Sequence, residues 1–221
     1  AFGGGSSMDC AKAAGARIVK PHQSISQMKG LLKVHKKLPL LIAIPTTAGT
    51  GSETTLAAVI TDSEKHYKYP INDFSLIPRY AVLDYHETVG LPKMITATTG
   101  MDALTHAVEA YIGGSTTKET RKMAEEAVTL IHQHLKNADD DGHNKEARKG
   151  MLKAAYCAGV AFTKSYVGYV HAVAHSLGGQ YGTPHGLANA VILPVVLRMY
   201  GPACEKKLAC LARKAGVVDE K

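Results

Sequence analysis

Two pairs of side chains at helical spacing carry the strongest chemical signal in this sequence. Asp102 and His106 stand four residues apart in Gly100-Met101-Asp102-Ala103-Leu104-Thr105-His106. His171 and His175 repeat the spacing in His171-Ala172-Val173-Ala174-His175, and His185 follows a turn at Thr183-Pro184. On an α-helix, residues four apart project from one face, so each pair can grip a single ion. Neutral imidazoles with one carboxylate and no thiolate suit Fe(II) or Zn(II) rather than Mg or Ca. A lone Asp/His pair at this spacing is usually a solvated surface pair. Here two pairs lie on alanine-rich, otherwise apolar stretches, where a buried imidazole needs a partner, and a metal is the favoured reading. The remaining histidines, His22, His35, His66, His86, His132, His134 and His143, sit in mostly polar surroundings and read as plain surface residues.

Two small-residue segments suit a phosphate. Gly3-Gly4-Gly5-Ser6-Ser7 precedes a helical stretch, so backbone N–H groups and the helix N-terminus could cradle a pyrophosphate. The run matches neither G-x-G-x-x-G nor a Walker A loop, and a flexible terminal linker is the bland alternative. Pro45-Thr46-Thr47-Ala48-Gly49-Thr50-Gly51-Ser52-Glu53 leaves an apolar run carrying four hydroxyls and two glycines. That composition suits close approach to phosphates or a ribose; a turn with a helix cap explains it equally well.

The elements that must position these residues change character midway. Residues 7–14 predict a short helix, capped by Ser6 or Ser7 and stopped by Gly15. A weaker helical pattern runs from Ser24 to His35 around Met28, Leu31 and Leu32. Leu38 to Ile44 reads as a buried parallel strand ending at Pro45, and Ala57 to Thr61 and Tyr80 to Leu83 as two more strands. From Pro92 onward helices dominate: 99–112, 117–138, 145–162, 170–177, 185–200 and 202–215. Asp139-Asp140-Asp141-Gly142-His143-Asn144 is a polar break between two of them and lacks the ligand spacing of an EF-hand. The expected organisation is therefore an α/β part over 1–91 and an all-α part over 92–221. Both ends read as cut: no strand precedes the glycine run, and nothing follows the last helix for it to pack against.

Composition narrows the partners. The net charge of +7 and the pI of 9.1 raise nucleic-acid binding. The basic residues are dispersed, however, and with three Phe and no Trp there is no basic stripe interleaved with aromatics. No apolar stretch is long enough to span a membrane and no signal peptide opens the chain, so a cytoplasmic protein is the default. Cys10, Cys157, Cys204 and Cys210 form no CxxC pair and are expected as free thiols.

Taken together, the motifs resemble the iron-containing (group III) alcohol dehydrogenase family over essentially the whole chain. The match runs through Gly3-Gly4-Gly5-Ser6 with Asp9, then Pro45 to Glu53, then Thr99 to Tyr111, then His171 to His185-Gly186, in that order. The resemblance implies a dinucleotide-binding α/β part followed by a helical metal-binding domain, an arrangement similar to dehydroquinate synthase. It implies that Asp102, His106, His171 and His185 bind Fe(II) or Zn(II), with His175 beside the substrate and not a ligand; an imidazole titrates in the right range for His175 to relay the proton to solvent. Gly4, Gly5 and Ser6 would hold the pyrophosphate of NAD or NADP; Thr46, Thr47 and Ser52 would line the rest of the groove, and Lys68 would lie near the nicotinamide ribose. Ser176 stands where many members have proline, outside the ligand set. The activity implied is hydride transfer between a primary alcohol or aldehyde and NAD(P), with a small-molecule substrate, no nucleic acid or membrane partner, and compatibility with a homo-oligomer. Glycerol dehydrogenase-like and dehydroquinate synthase-like relatives, or a non-catalytic metal- or nucleotide-binding fragment, are the alternatives. Members of the family are considerably longer than this chain.

Overall fold

The computed structural model describes residues 1–65 and 67–218. His66 and the last three residues of the 92–221 part lie outside them. The first half is built from short strands around one helix. β1 (Phe2–Gly3) pairs in parallel with β3 (Ile42–Pro45), which pairs in parallel with β6 (Tyr80–Ala81). A second three-stranded sheet sets β5 (Tyr67–Asn72) between β2 (Gly30–Leu31), in parallel, and β4 (Ala57–Asp62), antiparallel. α1 (Gly5–Val19) packs on these strands. Met28, Val34, Ala58, Tyr69, Ile71 and Leu76 bury with Ala16 of α1 into one core.

The second half is helical: α2 (Lys93–Ile112), α3 (Lys118–Asp140), α4 (Lys145–Ser165), α5 (Tyr169–Tyr181), α6 (His185–Tyr200) and α7 (Pro202–Lys214). Its core is rich in alanine, with Ala103, Ala107, Ala124, Ala127, Ala154 and Ala158 buried. Side chains this small let α2, α3 and α4 pack closely. Local chemistry sets the helix ends. Thr117 and Thr120 form a reciprocal cap at the start of α3, and the Asn144 side chain accepts the Ala147 N–H at the start of α4. Pro202 opens α7, where a missing N–H costs nothing. Among the described residues no helix is long and apolar enough to cross a membrane.

Several local expectations are corrected. A strand does precede the glycine run: Phe2 and Gly3 lie against Ile44 and Pro45. The cap of α1 is Gly4, with no side-chain bond, and Ser6 and Ser7 fall inside the first turn. The helix also runs through Gly15, whose place is set by packing, because a Cβ there would stand 2.9 Å from Leu38 Cδ2. Residues 24–35 are not helical. Gly30, at φ +101°, breaks the pattern after a 3-10 turn at Ser26–Met28, and β2 follows. β5 was hidden by Pro70, which normally demotes a strand. It is tolerated because β2 reaches only Ile71 and Asn72, while on the other side Val59, opposite Pro70, turns its N–H away to Asp9.

Candidate functional site

Three helices bring the metal-type side chains together. α2 carries Asp102 and His106, α5 carries His171 and His175, and His185 opens α6. Single donor atoms of Asp102, His106 and His171 all lie within 4.8 Å of one another, and all three residues are buried. His185 Nε2 joins them, 3.5 Å from Asp102 Oδ1, and His171 Nε2 lies 3.7 Å from the same oxygen. The His106 ring stacks between Phe162 and His171 at 4.1 and 4.4 Å. His175 packs edge-on to His185 at 5.0 Å.

Two residues that the sequence reading did not assign complete this cluster. Glu109, buried one turn beyond His106, accepts the Val170 N–H at 2.8 Å and pairs with His171 Nδ1 at 2.5 Å. A carboxylate on the rear nitrogen fixes the imidazole and turns Nε2 to the cluster. Asn189, fully buried, donates from Nδ2 to Asp102 Oδ1 at 2.7 Å and lies 3.2 Å from both His171 Nε2 and His185 Nε2. An amide nitrogen has two protons to offer these three lone-pair atoms.

The electrostatics point to a cation at this position. Among the described residues the buried Asp102 and Glu109 carboxylates pair with imidazoles and with no Lys or Arg. Two buried negative charges need compensation, and a divalent ion provides it. Burial opposes the Asp102 charge, but the imidazoles around it, His106 foremost, hold its carboxyl well below the usual range. Burial pushes His106 down to about 3. His171 is also opposed by burial, yet Asp102 and Glu109 raise it to about 9. Positive charge at the Nε2 edge of His171, a proton or a metal ion, is therefore strongly favoured. The donor set fits a resident metal. His175 does not keep the ordinary imidazole range expected of it: burial, with His185, His171 and Lys68, lowers it to about 4.

A cleft of about 470 Å³ leads from this cluster to the glycine run. Gly5, Ser6, Ser52 and Lys68 line it, as do Asp9, Thr50 and Thr55. Gly4, Thr46 and Thr47 are not among its lining residues; Gly4 packs on Thr47, where a Cβ would stand 3.4 Å from Cγ2. Lys68 reaches from β5 towards α5, its Nζ 3.1 Å from where a Cβ on Gly178 would be. One buried network ties the two small-residue segments together. Asp9 accepts Ser52 Oγ at 2.8 Å and the Val59 N–H at 3.0 Å. Lys12, fully buried, donates to Thr55 O, Thr55 Oγ1 and Ala57 O at 2.9, 3.1 and 2.8 Å. Burial lowers Lys12 to about 8 and raises the neighbouring Glu53 to about 7.

Glycines make the seam between the halves. A Cβ on Gly49 would stand 2.6 Å from Thr99 Cβ in α2, and Gly49 is the backbone group bearing on the buried His106 ring. Gly51, at φ +60°, meets Gly159 of α4 so closely that a Cβ would lie 2.7 Å from its Cα. The four cysteines are free thiols, and Cys210 accepts from Tyr111 Oη at 3.4 Å. His22, His35, His86, His132 and His143 are exposed and His134 is half-buried.

A three-helix metal-type cluster is joined by a cleft to a glycine-opened helix on a parallel sheet, the arrangement of a metal-binding class of protein with an α/β and a helical part. Comparison with known proteins makes the class specific. Residues 1–85 match the family described as iron-containing alcohol dehydrogenase, and residues 96–221 match the C-terminal part of the Fe-containing alcohol dehydrogenase family. The chain is 43% identical over 213 residues to the probable alcohol dehydrogenase EutG of Escherichia coli (strain K12), covering 96% of this chain and 54% of that protein. It is 41% identical over 215 residues to the NAD-dependent methanol dehydrogenase of Bacillus methanolicus, covering 97% of this chain and 56% of that protein. The solved structure of an alcohol dehydrogenase from Oenococcus oeni superposes with a TM-score of 0.93 at 41% identity, covering 97% of this chain and 56% of that one. The chain belongs to the iron-containing alcohol dehydrogenase family, and it spans about half the length of the curated relatives it matches.

Proposed function

We propose that this chain carries the metal centre and much of the cofactor groove of an NAD(P)-dependent alcohol dehydrogenase, which transfers hydride reversibly between a primary alcohol or aldehyde and the nicotinamide. The gathering of Asp102, His106 and His171 donor atoms within 4.8 Å of one another, with His185 Nε2 3.5 Å from Asp102 Oδ1, beside a cleft that also holds Gly5 and Ser6, carries the reading. Residues 1–91 form the dinucleotide-binding part and 92–221 the metal-binding part, in the manner of dehydroquinate synthase. The NAD-dependent relative supports a nicotinamide cofactor. The free thiols suit a cytoplasmic setting, and a homo-oligomer is compatible with the reading.

Asp102, His106, His171 and His185 would hold Fe(II) or Zn(II). A divalent metal there supplies Lewis acidity to the alcohol oxygen, and a bound nicotinamide supplies the hydride acceptor. The residues of the chain do the rest. Glu109 would orient His171 by holding a proton on Nδ1, so that Nε2 is the nitrogen turned to the metal. The Gly5 and Ser6 amides, at the N-terminus of α1, bind the pyrophosphate, backed by Gly4, Thr46 and Thr47. Ser52, fixed by Asp9, and Lys68 position the nicotinamide half. His175 faces the cleft as a neutral imidazole across the neutral range, so it can pass a proton on from a ring nitrogen but does not store one.

Elemental analysis after anaerobic purification tests the centre directly. The chain should carry about one Fe or Zn, and the His185→Ala and His171→Ala variants should lose it. Unchanged metal content in both variants would sink the ligand assignment.

A further inference from the structure

The link between α4 and α5 holds a residue in an unfavourable conformation beside the cleft. Tyr166 ends α4 at φ +65° and ψ −178°, a combination that belongs almost entirely to glycine because a Cβ crowds the backbone there. The other non-glycine residues at positive φ among those described, Leu32 and His35, are themselves exposed and lie in the connection between β2 and β3, away from the cleft. Contacts on both sides hold Tyr166 in place. Its N–H donates to Phe162 O at 2.7 Å. Two residues on, Gly168 is pressed against Glu109 so closely that a Cβ would stand 2.8 Å from Oε1, and the Val170 N–H donates to that oxygen at 2.8 Å. Backbone strain persists where the surroundings over-determine the conformation in this way.

A glycine would fit this backbone without strain, so the tyrosine calls for a reason in its side chain. Tyr166 lines the cleft that holds His171, His175 and His185. It also lines a second cavity of about 570 Å³, bounded by Gly113, Ser115, Tyr169, Tyr200 and Cys204. Tyr166 and Val167 are the residues common to both walls. Its side chain is half exposed and borders both spaces.

We propose that Tyr166 is a specificity-determining residue: its side chain partitions the cleft from the second cavity and so limits the length of the alcohol that can bind. The proposal rests on the dehydrogenase reading of the cleft, and it concerns the apolar tail of the substrate rather than its reacting oxygen. Without the phenol the two spaces join, and a longer chain can run past Val167 into the second cavity.

The test compares the metal-loaded chain with Tyr166→Phe, Tyr166→Ala and Tyr166→Gly. Binding of the straight primary alcohols from propanol to octanol is read by ligand-observed NMR, and Tm is measured in parallel. In the parent and the Phe variant, affinity should stop rising beyond a short alcohol. In the Ala and Gly variants it should keep rising, roughly fourfold per added methylene. The Gly variant alone should also gain roughly 2–4 °C in Tm, because Ala keeps the strained backbone. An unchanged length profile in both truncated variants overturns the proposal, as does failure of any alcohol to bind any form. Binding is read without turnover, so the two readings fail separately. A length limit relieved in the variants, with no NAD(P)H formed by the parent, would support the role of Tyr166 and fault the dehydrogenase reading alone.

Discussion

Replacing Glu109 with glutamine would test how the centre is held with almost no change of shape. Both carboxylate oxygens are committed, one to the Val170 N–H at 2.8 Å and the other to His171 Nδ1 at 2.5 Å. A carboxylate only accepts, so Nδ1 carries a proton and Nε2, facing Asp102 and Asn189, is the nitrogen left to bind a metal in place of its own proton. In Glu109→Gln the amide oxygen can keep the Val170 bond, which turns the amide NH2 towards Nδ1. Two donors would then face each other, and the imidazole escapes by moving its proton to Nε2. The nitrogen offered to the metal is thereby blocked. Loss of a supporting carboxylate of this kind costs about 10–100-fold in metal affinity, or roughly 1.4–2.8 kcal/mol. Competition against a chromophoric chelator under anaerobic conditions measures it, and thermal unfolding of the metal-stripped variant checks that the fold survives. An affinity within about twofold of the parent would refute the tautomer argument.

Three further outcomes follow from the buried contacts. Lys12→Met should cost about 3–5 kcal/mol in urea unfolding, because it strands the Thr55 and Ala57 carbonyls and leaves Asp9 without its nearby positive charge; a loss below about 1 kcal/mol would show that Lys12 is dispensable. Glu53 is raised by burial to about 7 in the folded chain, against 4.5 as its ordinary value. The folded state therefore holds this proton more tightly than the unfolded chain does. The resulting stability is fully present below pH 4.5 and is lost as pH rises through about 7, on the order of 3 kcal/mol in all. Glu53→Gln should flatten that part of the pH–stability curve, and an unaltered slope would count against it. Gly159→Ala would drive a Cβ to 2.3 Å from Thr54 Oγ1 and 2.9 Å from Gly51 Cα, so it should destabilise by about 1–3 kcal/mol, read as a fall in Tm.

Much of the site was legible because its signals are local. Asp102 and His106 announce themselves by spacing on a helix whose neighbours are alanines, and the same holds for His171 and His175. Glu109 and Asn189 were equally visible in principle. Glu109 is an acid inside the apolar run Ala107-Val108-Glu109-Ala110, and Asn189 lies four residues after His185 between two alanines. Neither belongs to the i,i+4 Asp/His and His/His pairs that mark the ligands, and their importance lies in what they do to ligands. Lys12 gave no such warning. Its acceptors are backbone and hydroxyl oxygens more than 40 residues away in sequence, and such partners leave no periodic trace. In the first half, Pro70 speaks against a strand and Gly15 against a continued helix, and in both places tertiary packing overrides local propensity. The strand beneath the glycine run is two residues long, too short for any alternation to show.

The seating of Gly49 against Thr99 has a thermodynamic consequence. The loop from Pro45 to Glu53 borders the proposed cofactor groove, and through Gly49 it also backs the helix that carries Asp102 and His106. Backbone packed on backbone at this distance leaves no compliant side chain to absorb a shift. A ligand that steadies the loop steadies α2, and an ion that steadies α2 steadies the loop. By linkage the coupling is mutual: whatever factor the metal contributes to dinucleotide affinity, the dinucleotide returns to the metal. On the proposed function, the dissociation constants for metal and dinucleotide would be joint quantities, each meaningful only at a stated occupancy of the other site.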